Sequence, residues 1–381
     1  MQPGIHLGPL DAAHRILIQA VADEVFPGAT FGVIHGMREY TSSNGHFTYN
    51  TRDFIHCSGV NVDTIYDIAS LTKVVATTSM SMLLHDRGQL TLDTPLETIL
   101  PAFNLQHDAA RAQVTLRMLL SHSSGLPAHE YLYRRCSNRE EAIAACLTLP
   151  LEAEPGAKAV YSDIGFILLG LALEAIAGEP LDRFCTREVF QPLGMTSTFF
   201  NPDIEALSPR IPPTAIDTTF RHRILQGEVH DENAALLGGV AGHAGLFSNV
   251  PDLLRFARCI LEGGQPLFRA ETVALFTTRT SLPPGTSRAL GWDTPTAPSS
   301  SGHLFSPHSA GHLGFTGTSL WLDMERFLAV VLLTNRTWRE DGHEPAALAP
   351  SQEAIRRLRP VFHDAVLHAL GLASPPVLKS P

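Results

Sequence analysis

The sequence predicts a mixed α/β (α+β) protein in two parts: an antiparallel sheet with flanking helices, assembled from both chain ends, and an all-helical domain inserted between them. Three observations predict it. The chain has 381 residues, more than one compact core ordinarily organises. Apolar runs of strand character lie near both ends, and the stretch between them carries helical periodicity and long loops. These features place the sheet domain at 1–87 and 240–381 and the insertion at 88–239.

The elements follow in order. Ile16, Leu17, Ala20, Val21 and Val25 recur at helical spacing across 10–25, and Pro27-Gly28 breaks that helix. Ala29 to His35 is a short apolar strand. Ser42 to Gly45 is its turn, and His46 to Ile55 is the hairpin partner. A helix free of Gly and Pro starts near Ser70 and stops at Arg87-Gly88. Short helices follow at Thr115–Ser121, Arg139–Leu149 and Leu181–Val189. Asp163 caps the apolar run from Ile164 to Ala177, and Gly178 ends it. The Pro-rich text from Asn201 to Gly239 is too long for a bare connection, and with 282–310 it reads as the walls of a binding site. Pro251 opens a helix to Leu261. Gly317–Met324 and Phe327–Leu333 form a terminal hairpin, and Ser351–Leu370 is a closing helix.

Composition excludes several functions. A formal charge of −10 gives no basic face for a nucleic-acid partner. The longest apolar stretch, Ile164 to Ala177, is too short to span a bilayer. The start, Met-Gln-Pro-Gly-Ile-His, shows no basic segment followed by an apolar run, so we expect a cytoplasmic chain, or a periplasmic or secreted one if a leader is removed. Five cysteines, with no Cys-x-x-Cys pair, read as reduced thiols. Eighteen histidines form no zinc-binding spacing, so neither a metal nor another cofactor is expected. The oligomeric state is not legible.

Three groups of residues carry chemistry. Ser70 and Lys73 lie three apart at a helix start and share a face. A serine hydroxyl needs a base to become a nucleophile. A lysine serves as that base only where burial or a nearby cation lowers its pKa. The free N–H groups of the helix start favour developing negative charge. The chain has only three lysines (Lys73, Lys158 and Lys379), so this spacing rarely arises by accident. Tyr161-Ser162-Asp163 follows Pro155-Gly156 and precedes an apolar helix; a tyrosine there relays a proton if it faces a cleft, or else simply packs in the core. The third group runs from Gly311 through His312, Leu313, Gly314 and Phe315 to Thr318. Glycines so dense at a strand edge fit either close approach by a ligand or a tight corner. His122 and Ser124 lack the glycine spacing of a nucleophile elbow and read as a turn beneath the site. His243 fits a cleft-lining or a structural role equally, and Asp231 and Glu232 read as a solvated loop.

In order, these groups resemble the three signatures of serine β-lactamases and penicillin-binding proteins. The wording is most similar to the branch containing class C β-lactamases, D-aminopeptidases and related esterases. Tyr66–Lys73 (YDIASLTK), Leu119–Leu126 (LLSHSSGL), Pro155–Gly170 (PGAKAVYSDIGFILLG), Gly239–Phe247 (GVAGHAGLF) and Gly311–Trp321 (GHLGFTGTSLW) carry it, across roughly residues 25 to 335. The resemblance implies a β-lactamase/transpeptidase-like fold. It also implies Ser70 as the acylated nucleophile, Lys73 sharing its proton, and Tyr161 activating serine and later water. The backbone N–H groups of Ser70 and Phe315 would form the oxyanion hole, with Asp163, His312 and Gly314 in support.

The sequence departs from that pattern at three positions. Asp163 stands where many relatives have Asn, and a carboxylate cannot donate to a substrate carbonyl; it would instead hold Lys73 protonated or orient it. His312 replaces a lysine, and Leu313 a hydroxyl residue, which weakens a carboxylate anchor. We therefore expect a serine hydrolase acting through an acyl-enzyme on a small-molecule ester or amide, first of all a carboxylesterase on small to medium acyl esters. The alternatives are a DD-peptidase, D-aminopeptidase or weak β-lactamase, an acyltransferase using the same acyl-enzyme, or a non-catalytic sensor.

Overall fold

The structure is a computed structural model and describes residues 8–50, 58–339 and 345–372. Its centre is a five-stranded antiparallel sheet in the spatial order Arg38–Gly45, Gly28–His35, Leu328–Thr334, Ser319–Asp323, Ser309–Leu313. Both chain ends therefore contribute strands. The Leu328–Thr334 strand is buried along its whole length, and its side chains alternate between two cores. Leu328, Val330 and Leu332 pack with Phe31, Val33 and Trp321 and with apolar residues of the N-terminal helix Asp11–Ala22 and the C-terminal helix Pro345–Ala369. Ala329, Val331 and Leu333 face the other way, into a larger core shared with the Val250–Leu261 helix and the helices of the middle of the chain.

The hairpin differs from the expectation at Ser42–Gly45. Its turn is Gly36-Met37, with Gly36 at φ +58° and His35 opposite Arg38. Ser42 to Gly45 lie inside the outer strand instead. Polar residues suggest a turn, but an edge strand with a solvated face carries them equally well. Part of the expected His46–Ile55 strand, like the first seven residues and Cys57, lies outside the described residues. Cys136, Cys146, Cys185 and Cys259 are free thiols. Among the described residues, no single helix is long and apolar enough to cross a membrane.

Two packing contacts place the site. The helix that begins near Ser70 is irregular: a 3-10 turn over Ala69–Leu71, a π segment over Lys73–Thr78, then an α-helix over Ser79–Asp86. Wide π turns of this kind reorient side chains and recur at functional sites. The apolar helix Asp163–Ala177 crosses the Gly-rich segment around Gly242 at backbone distance. A Cβ on Gly242 would meet the Phe166 carbonyl oxygen at 2.1 Å, and one on Gly170 would meet the Gly242 Cα at 3.0 Å. That approach brings the Gly242 carbonyl to the Thr77 hydroxyl (2.7 Å) and the next carbonyl, of His243, to Lys73 (3.0 Å).

Candidate active site

The turn before Ser70 is held in an unfavourable backbone conformation. Ala69 has φ +48°, a region that L-residues avoid without support. The Asp67 carboxylate supplies that support. It accepts the Ala69 N–H at 2.8 Å and, through its other oxygen, the His230 N–H at 2.7 Å. Burial pushes its pKa up to about 6, against these hydrogen bonds. One carboxylate thus ties the Ser70 turn to the 229–232 wall.

Lys73 is fully buried and donates three hydrogen bonds, to Ser70 Oγ (3.0 Å), Asp163 Oδ1 (2.7 Å) and the His243 carbonyl (3.0 Å). Three acceptors match the three protons of an ammonium. Burial alone lowers the pKa of Lys73, but the ion pair with Asp163 outweighs it and the net shift is upward. The sequence reasoning required a lowered value for a lysine base. The structure instead holds Lys73 charged at rest.

The reason lies one residue earlier. Ser162, not Asp163, caps the apolar helix: its side chain accepts the Gly165 N–H at 2.9 Å. The Asp163 carboxylate, freed from capping, turns to Lys73, with His129 Nδ1 3.8 Å from its other oxygen. Burial pushes the Asp163 carboxyl up, but Lys73 and His129 outweigh that and hold it well below the usual carboxylate range.

Tyr161 stands over the same ammonium, with its ring centroid 4.8 Å from Lys73 Nζ. Burial raises its pKa more than Lys73 and Ser70 lower it. Two imidazoles pack against its ring, His122 at 4.6 Å and His312 at 5.8 Å between centroids. His122 Nδ1 accepts the Ser162 N–H at 3.0 Å, so this buried residue with φ +57° orients the second motif. Ser124 Oγ faces the Leu126 N–H and is buried, in keeping with a turn beneath the site.

His312 is more clearly neutral than its type suggests. Its Nδ1 lies 2.8 Å from the Leu313 carbonyl and carries the proton, and its Nε2 is buried without a partner. Burial and the charge of Lys73 push its pKa down to about 3. His243 is 1% exposed and lies 2.9 Å from Asp231, so it is structural, presenting its carbonyl to Lys73. Asp231 is not a solvated loop residue: it also caps the Glu232–Leu236 helix, and both Asp231 and Glu232 line the cavity.

Ser70, Tyr161, Asp163, His312, Gly314 and Phe315 line one cavity of about 830 Å³, with Lys73 directly behind Ser70. All the residues singled out in the sequence therefore meet. The expected walls contribute Thr219 and Val229–Glu232 on one side, and Arg288, Asp293 and Ser300 on the other. Sequence reasoning missed His129, Arg288, Arg336 and Arg359 as parts of the site. Of these, only His129 carried any signal, since it lies three residues after the Leu119–Leu126 segment.

The loop from Gly314 to Thr318 is pinned to the turn that precedes Ser70. Thr316 and Thr318 hydroxyls donate to the carbonyls of Asp67 (2.7 Å) and Ile68 (3.1 Å). A Cβ on Gly314 would meet Thr318 Oγ1 at 2.0 Å and the Ile68 carbonyl at 2.6 Å. Gly314→Ala must therefore move the loop away from Ser70. We expect kcat/KM for any turned-over ester to fall by about 10–100-fold, as when an oxyanion donor is misplaced. Steady-state kinetics on the folded variant check this; a rate within threefold of the parent would show that the loop does not position a donor.

Comparison with known proteins shows the family and the fold. A family model described as Beta-lactamase matches residues 13–352. A protein of Escherichia coli K12 named "Putative D-alanyl-D-alanine carboxypeptidase" is 34% identical over 313 residues, covering 74% of this chain and 70% of that protein. Among solved structures, EstCE1, "a hydrolase with promiscuous acyltransferase activity", has a TM-score of 0.71 at 22% identity, covering 92% of this chain and 98% of that one. A class C β-lactamase from Rhodobacter sphaeroides has a TM-score of 0.70 at 18% identity, covering 94% and 99%.

Proposed function

The chain belongs to the β-lactamase family and is a serine hydrolase; on that premise we propose that it is a carboxylesterase acting on small to medium acyl esters through an acyl-enzyme on Ser70. The observation that carries the ester reading is the neutral, partly apolar third motif. His312 has its proton tied to the Leu313 carbonyl and its pKa near 3, and the next side chain is leucine. A substrate carboxylate finds no cation at that position.

Ser70 Oγ attacks the acyl carbon, and the neighbouring N–H groups of Ser70 and Phe315 receive the carbonyl oxygen as it becomes anionic. The Ser70 proton goes to the Tyr161–Lys73 pair, which titrates as a unit. Because Asp163 keeps Lys73 charged, Lys73 cannot take a further proton: the acceptor is the phenolate form of Tyr161, which the neighbouring ammonium stabilises and which becomes the neutral phenol on taking the Ser70 proton. The same pair returns the proton to the leaving alcohol. Water then repeats the sequence on the acyl-enzyme.

Intact-protein mass spectrometry with p-nitrophenyl butyrate, and separately with a penicillin, tests this reading while released p-nitrophenol is followed. Ester turnover with an acyl mass on Ser70 and little penicillin adduct supports it. A stable penicillin adduct without ester turnover overturns it. His312→Lys places a cation at the anchor position, and we expect the second-order rate of penicillin acylation to rise about tenfold, the equivalent of roughly 1.4 kcal/mol. An unchanged rate would show that shape rather than charge excludes the carboxylate.

A second reading, a DD-carboxypeptidase, is favoured by one observation beside the relatives' name. The guanidinium of Arg288 lines the cavity and lies 5.4 Å from the Tyr161 ring centroid, with its closest carboxylate contact, Asp293, at 3.8 Å. A displaced cation there could anchor a C-terminal carboxylate in place of the missing lysine. Release of D-alanine from a D-Ala-D-Ala peptide, lost in Arg288→Ala while ester turnover persists, supports this reading over the first.

A further inference from the structure

We propose that Arg359 is a positioning residue that polarises the Gly314–Phe315 peptide unit, making the Phe315 N–H a stronger donor to the oxyanion. The inference rests on the reading of Ser70 as nucleophile with the Phe315 N–H in its oxyanion hole.

The geometry is specific. Arg359 Nη2 donates to the Gly314 carbonyl oxygen at 2.7 Å and to the Thr318 carbonyl at 2.8 Å. The Gly314 C=O and the Phe315 N–H belong to one conjugated amide. A cation on the amide oxygen draws electron density through the C–N bond, so the N–H on the far side becomes more positive. Chains of hydrogen bonds strengthen one another in this way. Arg336 does the same for the following unit, with Nε 3.1 Å from the Phe315 carbonyl and Nη2 on the same oxygen. Neither Phe315 N–H nor Ser70 N–H is taken by another group among the described residues.

The electrostatics point the same way. Arg336 is 1% and Arg359 6% exposed, and among the described residues no carboxylate acts on either charge. The charges acting on Arg359 are those of Arg336 and Arg356, which repel it; burial first, and then these, push its pKa down to about 9. Its Nε is buried with no partner. An uncompensated buried guanidinium is costly, and ordinary folding would provide an anion or remove the charge. Lys73, by contrast, is neutralised by Asp163. An oxyanion that forms beside Phe315 brings a negative charge close to these guanidinium groups, which no carboxylate among the described residues pairs with. The arrangement thus stabilises the transition state more than the resting enzyme.

The test compares the full-length enzyme with Arg359→Gln and Arg359→Lys, using p-nitrophenyl butyrate kinetics and the infrared carbonyl stretch of an acyl-enzyme made with an arylacryloyl ester. For Arg359→Gln we expect kcat to fall about 10–100-fold, the range for a weakened oxyanion donor, with KM within about threefold and the stretch moved to higher wavenumber. Arg359→Lys, which keeps the charge, should recover kcat to within about threefold of the parent. A Gln variant with normal kcat, or with an unmoved stretch and only a lowered Tm, overturns the proposal and leaves a structural clamp. If Arg359→Gln does not fold, Arg359→Met, which also removes the charge, is measured in its place. A raised stretch with a lowered kcat upholds polarisation by the charge, and an unmoved stretch with kcat near the parent overturns it. Absence of any acyl adduct on Ser70 in the parent enzyme would instead remove the functional reading itself, before Arg359 is considered.

Discussion

Ser70→Ala is expected to abolish the acyl adduct in intact-protein mass spectra and to lower ester turnover by about 10⁴-fold or more, with Tm close to that of the parent. The expectation follows from the way the hydroxyl is presented. The turn at Ala69, with φ +48°, lifts the next residue into the cavity, and Asp67 keeps it there. Among the described serines, only Ser70 combines a place in the cavity lining with a hydrogen bond from Lys73 (3.0 Å). The other serines of the neighbouring motifs are occupied. Ser121 and Ser123 bond to each other at 2.9 Å, and Ser162 caps its helix. Removing one oxygen from a group that faces open volume leaves no buried group unpaired except one N–H donor of Lys73, so stability should change little. The residual rate would come from the N–H groups and the cavity alone, which act on water without a covalent step. An adduct that persists in Ser70→Ala would move the nucleophile elsewhere and take the acyl-enzyme assignment with it.

What the sequence revealed divides along a physical line. Ser70 and Lys73 were legible because helix geometry converts a spacing of three into shared facing, whatever the surrounding fold. Tyr161, His312 and Gly314 were legible through short motifs adjacent to elements whose periodicity could be read. The Leu328–Thr334 strand and its partner were legible because a strand buried on both faces is a continuous apolar run. The hairpin turn at Gly36-Met37 was misplaced because polarity marks solvent, and both turns and edge strands meet solvent. The capping role went to Asp163 for a similar reason: Ser162 and Asp163 are both good caps, and only the three-dimensional path decides which one points along the helix. Arg359 and Arg336 carried no signal at all. Apart from the Ser351 hydroxyl that Arg336 also reaches, their partners are backbone carbonyls of a loop 41 to 45 and 21 residues away in sequence, and backbone atoms have no identity in a sequence.

Lys73→Met should lower kcat/KM by about 10²–10⁴-fold, as for loss of a residue that manages the transferred proton, and it should also lower Tm. The two effects have separate causes. The catalytic one arises because the ammonium that makes the Tyr161 oxygen an adequate acceptor is gone, along with the hydrogen bond to Ser70. The structural one arises because Asp163, whose side chain is 20% exposed to the cavity, loses its principal cation; breaking one side of a fully buried pair costs about 3–5 kcal/mol, and partial exposure brings the cost here below that. The pH dependence follows from the directions of the two shifts. Asp163 titrates below its unfolded value, so its contribution is present above about pH 4 and is lost as the pH falls through the folded pKa. Lys73 titrates above its unfolded value, so its contribution is complete below about pH 10 and is lost as the pH rises through the folded pKa. The parent pair is therefore intact across the neutral range. In Lys73→Met the carboxylate becomes a liability that protonation relieves, and the loss of Tm should shrink as the pH is lowered. The double variant Lys73→Met/Asp163→Asn separates the causes: Tm should return to within a few degrees of the parent at neutral pH, while kcat/KM stays at the level of Lys73→Met. If the double variant recovered activity as well, Lys73 would act only as a counter-ion for Asp163, and the proton would have to reach Tyr161 without it.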